Sequence, residues 1–106
     1  MSKFLIQASY TPDGLKGLQK DKASGRLAAV TQAVRSAGGS VESFHFAFGE
    51  VDAVLVLDLP DAAAAAALSI AIAASGLVRL RTTPLFTVEE MDVALTKEAT
   101  YRAPGH

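Results

Sequence analysis

The sequence predicts an α+β sandwich, one antiparallel four-stranded sheet with two helices on a single face, and three observations lead to it. Four stretches alternate apolar and polar residues with the period of two that suits a strand. Two longer stretches carry apolar residues or alanines at helical spacing. The order is strand, helix, strand, strand, helix, strand, which is a doubled split β-α-β unit.

Residues 3–10, KFLIQASY, set Phe4, Ile6 and Ala8 against Leu5, Gln7 and Ser9, and form the first strand. Thr11 and Pro12 start a helix, because proline at the first helical position gives up no needed N–H and threonine can cap the free amides. Gly14 and Gly17 weaken the first turns, so residues 12–20 are either a short separate helix or a loop. From Lys22 onward, Leu27, Val30, Val34 and Ala37 fall on one helical stripe, and Gly38-Gly39 ends it.

Residues 40–48 form the second strand, with Phe44, Phe46 and Phe48 on one face and Ser43, His45 and Ala47 on the other. Gly49-Glu50-Val51 marks a tight turn into a third strand, residues 52–59, where Ala53, Leu55 and Leu57 oppose Val54, Val56 and Asp58. Pro60-Asp61 opens the alanine-rich helix with Asp61 as its cap, and Ser75-Gly76 closes it before a fourth strand at 77–83. Thr87-Val88-Glu89-Glu90 has capping-box spacing for a short C-terminal helix ending near Lys97. Residues 1–97 make the single domain. Residues 98–106 form a C-terminal tail, expected to be mobile or taken up by a neighbouring subunit.

This is the ferredoxin-like βαββαβ sandwich, with expected sheet order 4-1-3-2. The phenylalanine side of the hairpin, with Phe4, Ile6, Ala8, Val78 and Leu80, meets the helices as core. The other side collects Leu5, Gln7, Ser9, Ser43, His45, Ala47, Val54, Val56, Asp58, Arg79 and Arg81. Its centre is too apolar to leave in water and its margins are too polar to bury unpartnered. A homodimer, or a higher homo-oligomer, with these faces packed together across a small cavity meets both conditions.

The composition restricts the function classes. The 106 residues, half of them hydrophobic, fit one domain with a small core. A net charge of -1 with interspersed signs supplies no basic stripe, so no nucleic-acid partner is expected. The apolar run at 62–74 falls short of the roughly 20 residues that span a bilayer, so no membrane association is expected either. Cysteine is absent, which excludes disulfides and thiolate chemistry and is compatible with a reducing compartment. With no signal-peptide core at the N-terminus, the expected location is cytoplasmic.

Several segments together resemble the GYD domain family: YTPDGL near the start, Arg26 early in the long helix, the Gly38-Gly39 pair before VESFHFAFGEVDAVLVLDLPD, and the final TTPLFTVEEM. The resemblance spans about Lys3 to Leu95, and the FGE-x-D hairpin followed by Pro60-Asp61 is its most specific part. Where the family's Gly-Tyr-Asp or Gly-Glu-Tyr-Asp is typical, this chain has Gly49-Glu50-Val51-Asp52, so the tyrosine ring is absent. The resemblance implies a dimeric α/β barrel and carries no established biochemical function with it.

The candidate site residues follow from the open face. His45 carries the side-chain type best suited to acid–base work and is the candidate general base, although a hydrogen-bonded interface histidine is the plainer role. Arg79 and Arg81, at alternate positions of one strand, suit a carboxylate or other small anion, or else a salt bridge to Asp58 or Glu42. Gln7, Ser9, Tyr10 and Asp58 complete the expected ligand contacts, with Tyr10 reaching the cavity mouth. Gly49 and Asp52 are expected to be structural, the glycine supplying positive φ and the aspartate accepting backbone N–H groups. His45 and Arg81 fall on opposite edge strands and cannot touch within one subunit. No His/Asp/Glu cluster has metal-ligand spacing, no phosphate loop or nucleophile elbow is present, and no cofactor is expected.

The expected function is a homo-oligomeric small-molecule-binding or structural module with a polar or anionic organic ligand between sheets. The alternative is a cofactor-independent monooxygenase- or isomerase-like enzyme with His45 as base and Arg81 holding the anion.

Overall fold

The computed structural model describes residues 1–106. Its elements run β1 (Ser2–Tyr10), α1 (Pro12–Ser36), β2 (Ser40–Phe46), β3 (Ala53–Leu59), α2 (Ala62–Ala74), β4 (Val78–Leu85) and α3 (Val88–Thr96). All strand pairs are antiparallel in one sheet of order β2-β3-β1-β4, the expected order read from the other edge. The architecture is α+β and ferredoxin-like, with α3 added after β4.

Local chemistry accounts for the helix ends. Thr11 accepts the Gly14 N–H at 3.2 Å to cap α1, Asp61 accepts the Ala64 N–H at 2.8 Å to cap α2, and Thr87 and Glu90 form a reciprocal capping box on α3. At the end of α1, Gly38 takes φ +86°, its N–H donates to Arg35 O, and the Gly39 N–H donates to Val34 O at 3.0 Å. That is the paired bonding of a glycine-terminated helix, and it aims the chain directly into β2. Gly39 is constrained by space as well: a Cβ there would fall 2.1 Å from the Asp58 carbonyl oxygen.

α1 is helical from Pro12, which settles residues 12–20 as helix, but Lys22 breaks it with φ 65° and ψ 171°. This conformation is costly for any residue with a Cβ. Within the segment after the break, helical spacing puts Arg26 nearer than Leu27 to the centre of the stripe formed by Val30, Ala33, Val34 and Ala37. Leu27, expected on the core stripe, is 45 % exposed, and Arg26 falls in line with Val30, Ala33, Val34 and Ala37 instead.

The core forms between the sheet and the helices. Phe4, Ile6 and Ala8 of β1 and Ala53, Leu55, Leu57 and Leu59 of β3 meet Val34 of α1 and Ala65 and Leu68 of α2, with Phe44, Phe46, Val78 and Leu80 packed around them. No polar or charged residue is fully buried. The core pattern expected of Phe48 fails, because β2 ends at Phe46 and Phe48 is 99 % exposed. The cause is non-local: Asp52 is bonded to β1, so residues 47–52 form a wider loop than the expected tight turn. β4 runs on to Leu85 and includes Pro84, which an edge strand tolerates because one side of its backbone needs no partner.

α3 buries none of its residues. Phe86, Val88, Met91, Val93 and Leu95 are all exposed there. The radius of gyration, 16.7 Å, exceeds the roughly 13 Å of a compact 100-residue domain, because this segment projects from the sandwich. Residues 98–106 contain no helix or strand and are exposed throughout. No helix is long and apolar enough to cross a membrane.

Candidate functional site

Strand registers lay out the open face in rows. One row across the sheet reads His45, Val54, Gln7, Arg81, and the next reads Ser43, Val56, Leu5, Thr83. His45 and Arg81 therefore share a row but stand three strand spacings, about 14 Å, apart. Leu5, Val54 and Val56 at the centre are only half-buried.

Four of the expected ligand residues converge at one edge. Gln7 lies directly opposite Arg81 and Ser9 directly opposite Arg79 on neighbouring β1 and β4. Side chains so placed on one face of an antiparallel pair have Cβ atoms about 5 Å apart. With Glu50 and Val51 of the β2–β3 loop they line an open hollow of about 300 Å³. Neither arginine makes an ion pair within the chain. Two permanently charged guanidinium forks, an amide and a hydroxyl at this spacing can bind a small carboxylate or similar anion.

Asp58 and Glu42 are occupied elsewhere. The Lys3 ammonium donates to Asp58 Oδ1 at 3.0 Å and to Glu42 Oε1 at 3.1 Å. These bonds, first to Asp58 and then to Glu42, hold its pKa above lysine's ordinary value. The salt bridge considered for the arginines is thus made by Lys3, and Asp58 belongs to this cluster rather than to the hollow. Glu42 reaches it through a β-bulge: the register passes from Val41 opposite Leu57 to Ser43 opposite Val56, leaving Glu42 as the extra residue. The signal for Lys3 was its parity with Leu5, Gln7 and Ser9; the bulge has no signature in the sequence.

Tyr10 takes a different place from the expected one. Its parity with Phe4, Ile6 and Ala8 turns it toward the helices, where it lines the space between α1, α2 and the sheet. His45 is exposed at the β2 edge, with no side-chain hydrogen bond in the chain and no acid paired to it.

Asp52 anchors the loop beside the hollow. Its Oδ2 accepts the Tyr10 N–H at 2.9 Å, its N–H donates to Ala8 O at 2.8 Å, and its carbonyl accepts the Ala47 N–H at 2.8 Å. Gly49 does not adopt the positive φ expected of it; the left-handed glycines are Gly38, Gly76 and Gly105. In a loop of six residues the turn is distributed, and no single residue has to reverse the chain.

Comparison with family models finds the GYD domain over residues 4–95. The chain belongs to the GYD domain family. Its matched span takes in the sandwich from Phe4 onward and nearly all of α3, so the residues of the hollow lie inside the GYD domain. No curated protein and no solved structure matches this GYD domain. Val51, which stands where the family's namesake tyrosine is typical, lines the hollow beside Arg79 and Arg81.

Proposed function

We propose that this GYD domain is a homo-oligomeric module whose open sheet face is covered by a second copy, and that Gln7, Ser9, Arg79 and Arg81 hold a small organic anion at that interface. The observation that carries the reading is the pair of arginines beside an amide and a hydroxyl, with no acid of the chain bound to either. Exposed guanidinium groups bind anions weakly in bulk water. A second sheet packed over them removes water and strengthens every charge-assisted bond beneath it. The half-buried Leu5, Val54 and Val56, and the unpacked apolar residues of α3, supply the surface that such packing would bury.

The test is a thermal-shift screen of small mono- and dicarboxylates at fixed protein concentration. The wild type is expected to be stabilised by at least one carboxylate, and Arg79→Gln/Arg81→Gln to lose the response while keeping its oligomeric state. His45→Ala is expected to keep the response, since His45 lies outside the hollow. An unaltered response in the double variant refutes the assignment.

A further inference from the structure

On the opposite side of the sheet, Arg26 occupies a position of the α1 stripe that packing alone would give to an aliphatic residue. Its Nε is buried and has no hydrogen-bond partner, and the guanidinium makes no ion pair in the chain. Arginine does not escape burial by losing its proton, and a buried donor left unpaired is destabilising. A ligand is the simplest way to offset that cost if the surroundings have room for one.

They do. Arg26 borders a cavity of about 40 Å³ whose lining is mostly apolar, including Val30, Leu55, Leu68 and Ile72. It also borders a wider vestibule of about 230 Å³ formed with Gly14, Gly17, Leu18 and Asp21. Tyr10, Arg26, Ile72 and Val78 line both, so the two spaces adjoin at these residues. The helix kink at Lys22 separates the residues of α1 that wall the vestibule from Arg26 itself. Apart from Tyr10 and Arg26 at its mouth, the only polar group of the inner cavity is Ser69, which already bonds Thr82 and Ala65, so the interior of the cavity suits an apolar group.

We infer that this groove between α1, α2 and the sheet is a binding site for a small monocarboxylate with a compact apolar tail. The carboxylate meets Arg26 at the junction, with the Tyr10 phenol able to donate to it, and the tail enters the inner cavity. Asp21 at the vestibule carries the same charge as the ligand and disfavours dianions. The site is independent of the arginine pair on the open face, so either can fail without the other.

The experiment is an NMR titration of ¹⁵N-labelled protein with butyrate and benzoate, following the Arg26 Nε–H resonance, with chloride and inorganic phosphate as bare-anion comparisons. The expected result is saturable movement of that resonance by a carboxylate and weaker response to chloride and phosphate. Backbone resonances around the groove should report an affinity loss of roughly tenfold to a hundredfold in Arg26→Met. Gly17→Leu, whose Cβ meets nothing within 4 Å, is a second variant that should fold normally and weaken binding by filling the vestibule. Arg79→Gln/Arg81→Gln should leave this titration unchanged. No saturable response to either carboxylate, equal affinity for chloride, or unchanged binding in Arg26→Met with the fold intact would overturn the inference.

Discussion

Replacing Asp52 with alanine tests how the loop beside the arginine hollow is held. The carboxylate accepts the part-buried Tyr10 N–H at 2.9 Å across 42 residues of sequence, joining the start of β3 to the end of β1. A hydrogen bond to a charged acceptor contributes about 1.5–3 kcal/mol, and no neighbouring group replaces it. At about 4–8 °C per kcal/mol for a domain near this size, Asp52→Ala should lower Tm by about 10 °C. Asp52→Asn keeps a neutral acceptor and should lose about half as much. Differential scanning calorimetry at one fixed protein concentration separates the cases, since self-association also moves Tm. A change within 2 °C (about 0.3–0.5 kcal/mol by the same conversion) for Asp52→Ala, or equal losses for both variants, would refute the reasoning.

Three further outcomes are expected. Val56→Asp puts a carboxylate at the centre of the open face, once per subunit, and a buried unpaired ion costs several kcal/mol; self-association should weaken at least a hundredfold by sedimentation while the monomer's circular dichroism is retained. Gly39→Ala drives a Cβ against the Asp58 carbonyl and should cost about 1–3 kcal/mol in urea unfolding, whereas Gly17→Ala should be neutral or stabilising. The Thr87 backbone N–H, and secondarily its hydroxyl, hold the Glu90 pKa below the ordinary carboxylate value. A depressed folded value means the capping contribution is present above the unfolded value near pH 4.3 and is lost as pH falls through the folded one, so helical signal from α3 should decline below about pH 4. An acid-insensitive helix signal would contradict that role.

Much of the fold was legible because its determinants are local. Period-two alternation separated Phe4, Ile6 and Ala8 from Leu5, Gln7 and Ser9, and Thr11, Asp61, Thr87 and Glu90 cap the helices as their spacing indicates. Sheet order and the separation of His45 from Arg81 followed from topology. Tyr10 was misplaced although its parity with Phe4, Ile6 and Ala8 is legible in the sequence, whereas other misplacements have causes that parity does not show. Phe48 leaves the core because Asp52 bonds β1 and widens the loop. Leu27 lies at the edge of the α1 stripe, whose centre passes closer to Arg26, and the break at Lys22 is announced by no sequence pattern. The bulge that brings Glu42 to Lys3 is likewise a matter of register between distant strands. For the arginine hollow, parity alone gathered Gln7, Ser9, Arg79 and Arg81, whereas Glu50 and Val51 required the path of the loop.

Two copies meeting through their open sheets is the claim on which the proposed anion site rests. Sedimentation velocity of the wild-type protein at micromolar concentration tests it most directly. The expected species has at least twice the 11.0 kDa mass of one chain, with the Val56→Asp variant shifted toward the monomer. A wild-type protein that sediments as a monomer across that range would contradict the account.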